Sequence, residues 1–79
     1  MIEKIIQRLK LEYYIPQRNK AEGKARYYEM CVFDLESKNQ NEKLTNRLKA
    51  RLDYDRYMKA LWYEELVKIN LKISRIEDD

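Results

Sequence analysis

With 79 residues, no histidine, and a single cysteine, glycine and proline, the chain excludes several kinds of chemistry at the outset. A zinc site of the usual ligand count, an internal disulfide and a glycine-rich phosphate loop cannot be assembled from this inventory. Seventeen basic against fourteen acidic residues leave only +3, a mixed and solvated surface with a weak overall field.

A chain this short buries only about 60 % of its unfolded surface, so it needs support from a metal, disulfides or oligomerisation. Composition removes the first two and leaves association. A lone Cys31 fits a reducing, cytoplasmic setting, and a buried structural thiol is its ordinary reading. Glu3 and Lys4 interrupt the start, so no targeting signal is expected, and no apolar run reaches membrane-span length. The abundance of Ile, Lys, Asn and Tyr, all read from A/T-rich codons, points to a low-GC bacterium or one of its phages. That origin favours a small regulatory or counter-defence protein.

The first segment predicts a helix over 2–14, with Ile2, Ile5, Ile6, Leu9 and Tyr13 on one arc. Leu11 faces nearly the opposite way. A basic amphipathic helix can lie on a membrane, but packing on the rest of the chain is the better reading for so short an apolar face. Pro16 is expected to break this helix, with Ile15 pushed out of helical geometry. A second helix is predicted over 17–37, on the stripe Ala21, Ala25, Tyr28, Val32, Leu35. Gly23 weakens it by about 1 kcal/mol, and a close helix–helix approach beside Ala21 and Ala25 is the expected reason.

The polar run Ser37-Lys38-Asn39-Gln40-Asn41 predicts a turn at 38–41, with Asn41 as a helix cap. A long helix then follows over 41–76, carrying Leu44, Leu48, Leu52, Met58, Trp62, Leu66, Ile69, Ile73 and Ile76. It would span roughly 54 Å, too long for a compact domain unless something lies along it. Because the turn sits near the midpoint, the fold class is all-α. We expect an antiparallel helical hairpin or three-helix arrangement with one long C-terminal helix, assembling into a homo-oligomeric bundle. Residue i is expected to lie near residue 79−i.

Catalysis finds no footing. Histidine, the usual acid–base group at neutral pH, is missing, and Asp53/Asp55 and Glu64/Glu65 point to different sides of a helix. No catalytic, cofactor-binding or metal residues are assigned, and the chain reads as a non-enzyme. Two features remain for binding. The long helix carries Val67 and Leu71, flanked by Tyr63, on the side opposite its main stripe. With Leu11, these four are the expected oligomer or partner interface.

The second feature is a central basic-aromatic face of Arg18, Lys20, Lys24, Arg51, Arg56 and Lys59 with Tyr54 and Tyr57. It suits a nucleic-acid backbone or a partner. Interleaved acids such as Glu22 and Asp55, spaced to pair with Arg26 and Lys59, favour an ordinary salt-bridged surface there. The expected function is therefore a regulator, inhibitor or adaptor acting on a partner protein, and on a second copy of itself. Nucleic-acid binding is the alternative.

Overall fold

A computed structural model describes residues 2–78. They form two helices, α1 (Ile2–Asn41) and α2 (Asn46–Asp78), packed side by side as an antiparallel hairpin. The molecule is a rod of 61 × 16 × 13 Å with a radius of gyration of 17.8 Å, against roughly 12 Å for a globule of this length. The expected helical hairpin is therefore what the chain forms. Its first arm, however, is one helix of 40 residues.

The expected break at Pro16 is absent, and the reason is where Pro16 points. The seam of α1 runs Gln7, Leu11, Tyr14, Arg18, Ala21, Ala25, Tyr28, Val32, Leu35, in unbroken steps of four and three. In that phase Pro16 falls at the outermost position of the helix and is exposed. Its ring removes the hydrogen bond to the Glu12 carbonyl on the solvated side, where water can take over and where packed helices are already convex. The stripe Ile2–Ile6–Leu9–Tyr13 lies on this outer side too, with Ile2 74 % and Leu9 59 % exposed. Leu11, Tyr14 and Ile15 point inward instead. The inner and outer stripes of the first segment are thus exchanged relative to the expectation from periodicity.

The turn also sits later than the polar run implies, over 42–45. Glu42 N–H still donates to the Lys38 carbonyl at 2.7 Å, so α1 winds through the asparagines. The cap of α2 is Thr45, not Asn41. Its hydroxyl accepts from Leu48 N–H at 3.3 Å and its carbonyl accepts from Lys49 N–H at 3.0 Å. Leu44, buried beside Val32, Leu35 and Leu52, plugs this end of the core and fixes the turn around itself. With Asn41 and Asn46 flanking the turn, facing residues have numbers adding to about 87, which replaces the expected 79.

The core has two parts. Near the turn, Val32, Leu35, Leu44 and Leu52 pack with Leu48. Toward the open end, Ala21, Ile69 and Ile73 pack with Leu11, Tyr14, Ile15, Trp62 and Leu66. Small alanines on α1 leave room for the bulky Trp62 on α2. Between the two parts lies Asp55, only 3 % exposed, whose Oδ2 is 3.9 Å from the Arg51 guanidinium and accepts no hydrogen bond. At the open end the Gln7 amide donates to the Ile76 carbonyl. Gly23 lies on the outer line with Pro16, and a Cβ built there meets nothing within 4 Å. The expected close approach at this glycine does not exist within the hairpin.

Candidate interaction surfaces

The seam of α2 runs Leu48, Leu52, Asp55, Lys59, Trp62, Leu66, Ile69, Ile73, Ile76, again in steps of four and three. With both seams known, every remaining position falls on one of two flanks or on an outer edge. In an antiparallel pair the positions after each d residue meet one another on one flank, and those before each a residue meet on the other.

The first flank neutralises itself. Arg56 bridges from α2 to Glu36 on α1 at 3.0 Å and also approaches Asp53 at 3.9 Å. The Tyr63 hydroxyl donates to Glu29 across the hairpin at 2.6 Å, and this bond to the carboxylate raises the tyrosine pKa. Arg26 pairs with Glu22 at 2.6 Å, as its spacing implies, and Arg8 pairs with Glu12 at 3.3 Å. Adding Lys49 and Glu77, this flank carries six acidic and four basic residues.

The second flank is basic throughout its length, and its cations fall into three groups of three. Lys10, Lys72 and Arg75 gather at the open end; by the pairing register, Lys20, Lys24 and Lys68 fall in the middle and Lys38, Arg47 and Arg51 toward the turn. Against these nine stand Glu3, Asp34 and Glu65, a surplus of six positive charges. Both helices line the groove at the open end, where Ile6, Lys10 and Tyr13 of α1 meet Lys72 and Arg75 of α2. Among the described residues, Lys10, Lys20, Lys24, Lys38, Arg47 and Arg75 form no ion pair; Lys68 meets Glu64 at 3.4 Å. Lys72 lies over the Tyr14 ring, 5.6 Å from its centroid.

Exposed tyrosines Tyr13, Tyr27 and Tyr54 sit among these cations. Tyr54 meets Tyr28 edge-on across the helices, with centroids 6.4 Å apart. Burial, then the neighbouring Tyr54, pushes the Tyr28 hydroxyl pKa up.

The residues singled out from sequence are thus divided. Lys20, Lys24, Arg51 and Tyr54 share the basic flank. Arg56 belongs to the opposite flank, Arg18 and Lys59 are half-buried in the seam, and Tyr57 lies on the outer edge. Asp55 pairs with Arg51 where Lys59 was the expected partner. Of the four interface residues, Leu11 packs in the hairpin core and Tyr63 is held by Glu29. Val67 and Leu71 are 57 % and 53 % exposed and stand on the outside of α2.

Sequence reasoning missed Lys10, Lys68, Lys72 and Arg75, although extending the Ala21–Leu35 stripe backward through Leu11 would have placed Lys10. Among the described residues, no cluster of three potential ligands could hold a metal ion, and no helix is long and apolar enough to cross a membrane. Comparison of the chain with protein-family models, with curated proteins and with solved structures returns no match.

Proposed function

We propose that this chain is a non-enzymatic interaction protein, of the regulator, inhibitor or adaptor kind, that presents helical surfaces to a partner protein and to a second copy of itself. The observation that carries this reading is the apolar outside of the rod. Ile2, Ile5, Leu9, Met30 and Phe33 on α1, with Leu61, Val67 and Leu71 on α2, all face away from the hairpin seam. Helices buried on one side only are normally polar on the other. Stripes of exposed apolar residues along a helix mark interaction sites on small proteins.

A photo-crosslinking side chain placed at Val67 or Leu71, with Asp53 as the control position, tests this directly. The stripe positions should give one discrete product, the dimer or a single foreign protein, where Asp53 gives little. Equal yields at all three would remove the stripe from the argument. Light scattering of the Val67→Lys/Leu71→Lys variant should show a lower mass than wild type at equal helicity.

A further inference from the structure

The sorting of charge between the two flanks carries an inference beyond partner-protein binding and independent of it, since it uses different side chains. We propose that the basic flank is a binding surface for single-stranded nucleic acid, with three cation clusters holding phosphates and Tyr13, Tyr27 and Tyr54 stacking on bases.

Three observations support it. First, the asymmetry is large. A chain of net charge +3 presents a surplus of six positive charges on one flank and two negative on the other. The local field is therefore much stronger than the total implies, and it is aimed in one direction.

Second, pairing differs between the flanks in the same sense. Arg8, Arg26 and Arg56 are each matched by a carboxylate at 3.3 Å or less. On the basic flank most cations have no acidic partner among the described residues, so their counterions come from solution. For a polyanion, the release of its condensed counterions by such cations is the main source of affinity.

Third, the arrangement is linear and interrupted by rings. The clusters at Lys10, Lys20–Lys24 and Lys38 follow one another along a 61 Å rod, with centres about 13 and 26 Å apart at 1.5 Å per residue. Tyr13, Tyr27 and Tyr54 stand between or beside them, more than half exposed. A backbone-tracking line of cations with aromatic platforms is the chemistry of single-strand binding. A duplex would offer the same phosphates but keep its bases stacked away from the tyrosines. An anionic membrane would want the apolar side chains on the basic flank; Ile6 and Leu9 line its open-end groove, yet Met30, Phe33, Val67 and Leu71 lie on the outer edges or the opposite flank.

The test is fluorescence anisotropy of a labelled twenty-residue oligothymidylate titrated with the full chain at several salt concentrations. Wild type should bind, with log affinity falling linearly against log salt. Lys20→Gln/Lys24→Gln/Lys68→Gln should lower that slope by about 2, at roughly 0.7 for each phosphate no longer neutralised. Tyr27→Ala/Tyr54→Ala should weaken binding by tenfold or more with the slope unchanged. The opposite-flank control, Arg8→Gln/Arg26→Gln/Lys49→Gln, should leave both quantities near wild type. Circular dichroism of each variant separates lost binding from lost helix.

The proposal is overturned by no binding at 50 mM salt. It is overturned equally by the same loss in the opposite-flank control, or by a duplex that binds at least as tightly as the single strand. Capture by vesicles of anionic phospholipid that the oligonucleotide does not compete away would assign the flank to a membrane surface instead.

Discussion

The Tyr63 hydroxyl reaches across the hairpin to the Glu29 carboxylate, 2.6 Å away, and holds α2 against α1 on the self-neutralised flank. Because the carboxylate accepts from the protonated phenol, folding raises this tyrosine's pKa above its unfolded value near 10. A raised pKa gives stability that is fully present below about pH 10 and lost as pH rises through the folded value. Tyr28, raised by burial, acts in the same direction. The urea midpoint of the wild type should therefore hold steady below about pH 10 and fall as pH rises above it. Tyr63→Phe should lower the midpoint at pH 8 and make its alkaline decline shallower. An unchanged decline in Tyr63→Phe would show that the bond does not hold in solution.

Leu9 and Leu11 are two residues apart and have opposite fates. Leu11 packs in the core at the open end, while Leu9 is exposed on the outer stripe. Leu11→Ala should cost about 1–3 kcal/mol, below the range for a fully buried leucine because the site is half-buried. Leu9→Ala should change stability by less than about 0.5 kcal/mol in the monomer. Chemical denaturation of both variants checks the helix phase on which both flanks depend. A larger loss at Leu9 would exchange the inner and outer faces.

Gly23 sits mid-helix with ordinary negative φ and open space beyond it. Gly23→Ala should stabilise the hairpin by about 0.5–1 kcal/mol, read as a shift in denaturation midpoint at constant slope. A destabilisation would mean that another surface closes over this glycine in solution.

Asp55 interrupts the apolar seam, and its ion-pair partner, Arg51, is itself largely exposed. Replacing it with an apolar residue leaves no buried charge unpaired, the circumstance in which such replacements are neutral or favourable. Asp55→Leu should therefore raise the unfolding temperature, by an equivalent of about 1–3 kcal/mol, as differential scanning calorimetry would show. Lower stability would indicate that the carboxylate has a partner in solution worth more than the added packing.

The hairpin itself was legible in the sequence because it depends on coarse signals. These are one glycine, one proline, helical spacing throughout and one polar run near the midpoint. The errors came where two signals of equal strength competed. Residues 2–14 carry two apolar stripes, Ile2–Tyr13 outside and Leu11–Ile15 inside, and periodicity ranks the longer one first. The seam continuing through Pro16 decides between them, but only if the proline is allowed on the solvated side. Thr45 caps α2 in place of Asn41 because Leu44 must be buried ahead of it, a tertiary demand that local turn preferences do not contain. The ion pair Glu22–Arg26 was readable from spacing alone, since both ends lie on one helix. The basic flank was not. Whether Lys10 and Lys72 stand together depends on the phase of both helices and on a pairing offset by eight from the expected one.

The two-part core bears on the order in which the rod closes. Leu35 and Leu52 meet across a loop of about 17 residues, while Ala21 and Ile69 meet across about 48, and the longer closure costs roughly 1 kcal/mol more in chain entropy. Asp55, lying between, gives little reward for zipping past it. The leucines at the turn are therefore expected to pack before the open end does. Amides near Leu35 and Leu52 should exchange with solvent through global opening, and those near Leu11 and Ile76 through fraying of the tips. Exchange protection that falls from the turn toward the open end would show that the polar interruption at Asp55 divides the rod into two units of unequal stability.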